Sequence, residues 1–454
     1  MDGVFYEWLG DQISTLEQTG TLSLFPSYFV PRRSNIETVA FRLGRRGRLE
    51  KVRKFRLVPC TLENDDKETS LSILETLLET CPNLTEFAYE EKSTDISWQT
   101  NDIGRLIRAC PRLQKLTIDT GLRRLEDPST LLSSLRLPTL LKDLDIEFLG
   151  YEQDQFCHAL ARCYQLENLK IGTKDASPKY FANLMDTIIA HLPKLHNLRI
   201  RYWGHESFSG DTTKLFSKLV RTKRLRHFHL HSIMNHAEGK GAFVKNTPES
   251  QALMQALYDC DSLEQLHLIG DLGFTENSIR NIFTIMETKR SMKSLSLDQR
   301  NLSLSREGWD SILQSICVNK SIEGVQICTG SHFCFNFLPR IVEALKGNMT
   351  IAHFAVRSQD MNECSCTYGP LGDLARRNEY IKLARTRAVL NDDNFPESLL
   401  PLALSRLQTD TADRSAVFTA LRNVSGIFTT VGKRQQPQPA KRTRPRRKCT
   451  IQLS

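Results

Sequence analysis

The sequence predicts a repeating α/β solenoid, with parallel strands along one face and helices along the other. Three observations carry this reading. A six-residue frame, apolar-x-x-apolar-x-apolar, occurs eleven times. Its copies follow one another at a nearly constant period, and the stretches between them have helical spacing.

The frame reads VRKFRL at Val52, LTEFAY at Leu84, LQKLTI at Leu113, LKDLDI at Leu141, LENLKI at Leu166 and LHNLRI at Leu195. It continues as LRHFHL at Leu225, LEQLHL at Leu263, MKSLSL at Met292, IEGVQI at Ile322 and IAHFAV at Ile351. Successive first positions differ by 32, 29, 28, 25, 29, 30, 38, 29, 30 and 29 residues. Apolar residues at positions 4 and 6 alternate as in a strand, which turns positions 3, 5 and 7 to the opposite face. The intervening segments, such as SILETLLETCPNL, FCHALARCYQL and YFANLMDTIIAHLPKL, place apolar residues three and four apart. Each is roughly 10–14 residues long, an ordinary helix. Thr275 and Ser305 stand where helix caps are expected. A single strand and helix cannot bury their apolar faces alone, so stacked copies share one continuous core.

A strand and a helix repeating every 29 residues or so resemble the leucine-rich repeat. The period, the frame and the long helix resemble its ribonuclease-inhibitor-like class. The joints Cys81-Pro-Asn-Leu and Cys110-Pro-Arg-Leu are similar to the cysteine-containing repeats of F-box partner proteins. No F-box pattern is found in the chain itself. The asparagine usual three places after the last apolar residue is missing at almost every copy, as at Arg300. Irregular turns after the strands are therefore expected. The resemblance implies a horseshoe with its strands on the concave face. It implies no particular activity, because repeat folds host many functions.

The expected organisation is an N-terminal cap over 1–50, the repeat array over 51–370, a helical cap over 371–430 and a disordered basic tail over 431–454. Within the first cap, the alternation of Ile36-Glu-Thr-Val39-Ala-Phe41 suggests a strand. NEYIKLARTRAVL and SAVFTALRNV suggest the closing helices. Net charge is +9, and the tail accounts for most of it: residues 433–448 hold eight Lys or Arg and no acid. A second basic block, 32–56, has ten Lys or Arg and two Glu. No apolar run is long enough for a transmembrane helix. The N-terminus has acids where a signal peptide would be basic. The twelve cysteines read as reduced thiols of an intracellular protein, cytoplasmic or nuclear.

The concave face is where function is expected. Positions 3, 5 and 7 of successive copies supply an acidic zone of Glu86, Glu90, Asp119, Asp143, Asp145 and Glu147. A basic and histidine zone follows, with Lys170, Arg199, Arg201, His227, His229, His231 and His267, and with Tyr202 and Trp203 flanking the seam. Segregated charge steers a polar partner, and Arg and aromatic residues are common anchors at interfaces. The leading expectation is a non-catalytic scaffold that binds a protein partner along this lane.

The same residues bear on other chemistries. His227, His229 and His267 have the spacing of a three-histidine zinc site, but an open strand supplies neither a closed pocket nor supporting partners for the ligands. The histidines read instead as a titratable recognition patch near their ordinary pKa. Asp143, Asp145 and Glu147 form a line rather than a cage for a hard cation. Cys364 and Cys366, with Cys328 and Cys334, fit no trusted zinc spacing. Cys81, Cys110, Cys163 and Cys260 occupy one repeated joint and read as packing residues. Phosphate-loop, HExxH, GxSxG and EF-hand patterns are absent. No cofactor and no metal are expected, and a metal-dependent enzyme at the histidine strand is a distant reading. A nucleic-acid or ribonucleoprotein adaptor is the alternative. It would use the basic block together with Lys441, Arg442, Arg444, Arg446, Arg447 and Lys448 of the tail, which also resemble an import signal.

Overall fold

In the computed structural model the eleven frames become eleven strands, each beginning at position 3 of its frame. The described residues are 2–24, 33–44, 47–58, 64–91, 98–120, 127–149, 154–174, 177–204, 210–234, 248–270, 272, 274–299, 304–329, 340–345, 348 and 350–358. The elements run α1 (Asp2–Thr19), β1 (Thr21–Leu24), α2 (Arg33–Gly44), β2 (Lys54–Leu57), α3 (Asn64–Glu79), β3 (Glu86–Glu90), α4 (Thr100–Arg108), β4 (Lys115–Asp119), α5 (Pro128–Ser133) and β5 (Asp143–Leu149). They continue with α6 (Asp154–Ala161), β6 (Asn168–Lys174), α7 (Pro178–His191), β7 (Asn197–Gly204), α8 (Gly210–Arg221), β8 (His227–Met234), α9 (Pro248–Asp259) and β9 (Gln265–Gly270). The last are α10 (Glu276–Thr288), β10 (Ser294–Gln299), α11 (Arg306–Val318), β11 (Gly324–Thr329) and β12 (His353–Ser358).

All twelve strands lie in one sheet in chain order, and neighbouring strands are parallel. The register keeps the frame: position 3 pairs with position 3 from Lys54 and Glu86 through to Gly324 and His353. One hydrogen-bond pattern enforces it at each step. The carbonyl at position 2 accepts from two successive amides of the next copy, as Thr85 O does from Gln114 N (2.8 Å) and Lys115 N (3.0 Å). The same pair recurs at Glu323 O with Ala352 N (2.7 Å) and His353 N (3.0 Å). Parallel strands joined by helices and held in this register make the fold a leucine-rich-repeat solenoid.

The core is the inward face of the sheet packed against the helices. Every first and fourth frame residue is buried, from Val52 and Phe55 to Ile351 and Phe354, as is every described sixth residue. Aromatic residues fill the larger gaps: Phe55 stacks on Phe87 at 5.9 Å, and Phe216 packs at the same distance against Phe228. Tyr202, expected at the seam of the open face, belongs to this core. It is buried, with its ring edge-on to Phe181 at 4.9 Å.

The N-terminal region departs from expectation. Residues 36–41 lie in helix α2, not in a strand. Val39 and Leu43, four apart, are buried, while Phe41 is exposed. The strand of this region is β1, which pairs with β2 so that Thr21 faces Lys54. Leu22 and Leu24 occupy frame positions 4 and 6 and are buried. Position 1 falls on Thr19, the last residue of α1, so the apolar residue that opens the frame is missing. The backbone step survives, because Gly20 O accepts from Arg53 N and Lys54 N. Gly20 has φ +72°, a conformation open to glycine, as the helix turns directly into the strand.

The chain divides into two units, Met1–Gly372 and Asp373–Ser454. The second lies wholly outside the described residues. The expected closing helices and the tail residues from Lys441 to Lys448 belong to it; Cys334, Cys364 and Cys366 of the first unit also fall outside the described residues.

Candidate functional site

The in-register sheet turns positions 3, 5 and 7 into three lanes on its open face. The position-5 lane reads Arg56, Ala88, Thr117, Asp145, Lys170, Arg199, His229, His267 and Ser296 in strand order. A groove of ≈ 390 Å³ runs across β4 to β8, floored by Leu116, Leu144, Leu169 and Leu198 and walled by polar residues of positions 3 and 5. The register thus brings together Asp143, Asp145, Lys170, Arg199, His227 and His229 along this groove. Glu86 and Glu90 lie on β3, one strand before the groove, and Asp119, at the end of β4, is not part of its lining.

The acidic and basic zones turn out to be largely tied to each other. Lys170 Nζ donates to Asp145 Oδ2 at 2.7 Å on the neighbouring strand. Arg201 Nη1 reaches Glu147 Oε1 at 3.0 Å, crossing from β7 to β5 over β6. That reach is possible because Gly172 stands between them. A Cβ there would lie 2.2 Å from Glu147 Cγ and 2.8 Å from its Oε1. Asp143 accepts from Asn168 Nδ2, and Asn197 Nδ2 donates to Asn168 Oδ1. Part of the N-terminal basic block is consumed likewise, with Arg56 on Glu90 and Lys54 at 3.9 Å from Glu86.

Arg199 differs. Its guanidinium makes no hydrogen bond or ion pair among the described residues. In the register it stands between Lys170 and His229, and Arg201 lies two residues along its own strand. Partial burial, and then the charge of Arg201, pull its pKa below the usual guanidinium value. Among the described residues Lys115 is also unpaired, but it is exposed and stands in register between the carboxylates of Glu86 and Asp143.

The histidines are not a patch near their ordinary pKa. His229 and His267 stack face to face, with ring centroids 4.0 Å apart and planes 15° from parallel. Burial, followed by His267 and Arg199, holds His229 down to about 3. Burial and Arg199 hold His267 down to about 4. Burial also lowers His227, against the pull of Glu264 3.9 Å away. These imidazoles are neutral at neutral pH. The parallel stack also argues against the zinc arrangement, since in-plane lone pairs of stacked rings do not converge on one ion as a tetrahedral site needs. Among the described residues no group of three His, Cys, Asp or Glu could hold a metal ion. His231 and Trp203 are half-buried on β8 and β7, past the end of the groove. Further along, Ser296, Asp298 and Cys328 are buried, whereas Gln326 is half-buried and His353 is exposed.

The repeated joint is structural. Cys81, Cys110, Cys163 and Cys260 are buried, and the first three thiols donate to the carbonyl four residues earlier. Burial pushes Cys81 and Cys163 up to about 12, far from a reactive thiolate. Sequence reasoning missed what replaces them later. Asn319 and Asn348 stand at the same joint, three residues before Ile322 and Ile351. Asn348 Nδ2 donates to Ile316 O (2.8 Å) and Asn319 O (2.9 Å), and its Oδ1 accepts from Thr350 N (2.8 Å) and Ile351 N (3.0 Å). The signal was present as an asparagine at constant offset, but on the opposite side of the frame from the position usually inspected.

No protein-family model matches the chain, and no curated protein is similar to it. Solved structures similar to the chain include the following two. Actin-binding site 2 of leiomodin-1 is 15% identical over 38% of this chain and 91% of its own, with a TM-score of 0.29. The TLR13–ssRNA13 complex is 11% identical over 74% of this chain, with a TM-score of 0.32, and the match spans 53% of that chain, about half its length.

Proposed function

We propose that the chain is a non-catalytic interaction scaffold that holds a protein partner on the open face of its sheet, around β4 to β8. The observation that carries this is the groove itself. It is long, polar-walled and open, and it is built from positions that the register aligns over successive repeats. An extended segment can lie across such a surface and meet the same frame positions repeat after repeat. Apart from Lys115 and Arg199, its described ionisable groups are paired or neutral, an arrangement suited to specific contact rather than to proton transfer. Arg201, Lys170, Trp203 and His231 would border the partner. The helix length and period favour the ribonuclease-inhibitor-like class. Seven described cysteines are free of disulfides, which favours an intracellular setting. Among the described residues no helix is long and apolar enough to cross a membrane.

The test is affinity purification of the full chain from its native cell, with and without nuclease, followed by mass spectrometry. An Arg201→Ala/Trp203→Ala variant and a variant with the tail Lys and Arg residues changed to Gln run beside the wild type. A protein partner that survives nuclease and is lost only in the first variant is the expected result. Partners that vanish with nuclease and with the tail charges would move the function to nucleic acid.

A further inference from the structure

We infer that Arg199 is the recognition point for a carboxylate, an Asp or Glu side chain presented by the partner. The inference rests on the open-face reading above and names the chemistry it requires. The groove lining holds three cations, Lys115, Lys170 and Arg199, against two carboxylates, Asp143 and Asp145, with His227 and His229 neutral. One positive charge is left over. Lys170 is bound to Asp145, and Lys115 stands between two carboxylates, so the surplus resides at Arg199. The guanidinium is half-buried, so its charge is poorly screened and its donors stay positioned. A planar fork of donors with no acceptor in place matches a carboxylate in the two-bond geometry that gives Arg its specificity.

The surroundings select against a polyanion. A nucleic-acid backbone is held by rows of cations, each releasing counterions from a phosphate. Here the neighbouring cation Arg201 is committed to Glu147, and the next position along the lane is the uncharged His229–His267 stack. One carboxylate satisfies the site. A second anion nearby would meet Asp145 and Glu147.

The site also predicts its own cost. A cation beside Arg201, with no acid of its own, does not stabilise the fold. Arg199→Gln is therefore expected to leave the melting temperature unchanged or raise it, the opposite of what loss of a structural arginine would do.

The experiment is selection of a displayed library of random linear peptides on the full-length wild-type chain. Recovered peptides are measured against Arg199→Gln, Arg199→Lys and Trp203→Ala. The expected result is a shared acidic position. Changing that residue to its amide, or Arg199 to Gln, should weaken binding by about tenfold or more, and the two changes together should cost little more than either alone. Arg199→Lys should retain part of the affinity, because it keeps charge but loses the fork. Peptides that depend on Trp203 yet carry no acidic position, or that bind Arg199→Gln as well as wild type, would overturn the inference and leave the open-face reading standing. Recovery of no peptide that depends on the open face would sink both. Saturable binding of a random-sequence RNA that Arg199→Gln abolishes would also overturn it, by assigning the arginine to phosphate.

Discussion

The helix-to-strand joints and the open face of the sheet satisfy their polar groups in opposite ways. At the joints a buried side chain is bonded to fixed backbone. Asn319 donates to Met286 O and accepts from Ser321 N (2.9 Å) and Ile322 N (2.7 Å), so its repeat is clamped to the one before it. On the open face, side chains satisfy one another across strands: Lys170 with Asp145, Arg201 with Glu147, Asn197 with Asn168. The first arrangement cannot be altered without orphaning buried groups. The second can be rearranged in water at small cost. Stability is therefore concentrated at the joints, and the open face is left adjustable.

The sharpest way to break that contrast is Asn319→Ala. It orphans one carbonyl and two amides in a buried joint, at about 1 kcal/mol or more each, so a loss of ~3 kcal/mol is expected in denaturant unfolding. Affinity for an open-face partner should be unchanged at temperatures where the variant is folded. Cys110→Ala at an early joint should cost less, about 1 kcal/mol. It removes a small buried group and one weak thiol donor, the bond to Leu106 O. A similar loss at both joints would mean that the asparagines do no more than fill space.

Acid should act through the open face. His229 and His267 are held down to about 3 and about 4 in the fold, but titrate near 6.5 when unfolded. The unfolded chain thus binds more protons between those values. Stability is complete above about pH 6.5 and falls as pH drops toward about 4. Thermal melts at about pH 7 and about pH 5 should show a clear drop for the wild type and a smaller one for His229→Gln/His267→Gln. Carboxylates whose pKa is lowered in the fold, such as Glu276, act at still lower pH and do not account for that window. Equal drops would show that the stack is not the acid-sensitive element.

How much of this was legible follows from what each feature depends on. The strands were readable because the frame is set by burial, and burial is periodic in sequence: Leu225, Phe228 and Leu230 announce themselves. β1 was missed because Thr19 ends a helix where the frame wants an apolar residue. The order of residues along the lanes was also readable, because register follows from the frame. Pairing within the lanes was not. Arg201 finds Glu147 only because Gly172 leaves room on the strand between, which depends on side-chain reach and not on charge zoning. The histidine pKa values were misjudged for the same reason, since stacking and burial belong to neighbouring strands taken together.

The smallest expected change in stability is the most informative about the face. Gly172→Ala places a methyl group where Glu147 now lies, and Glu147 is a flexible side chain that can swing away. The pair it would abandon is partly exposed, 31% and 26% for its two side chains, so the cost should be about 0.2–1 kcal/mol. The gain is a second unpaired guanidinium two residues from Arg199. An acidic peptide that needs Arg199 should then bind Gly172→Ala more tightly than wild type. Glu147→Gln should have the same effect by removing the carboxylate directly. If the alanine acts by evicting Glu147, the two substitutions together should do no more than either alone, in stability and in affinity. Additive effects would mean that the glycine serves the backbone of β6 itself, and that the bridge over it does not set the charge of the groove.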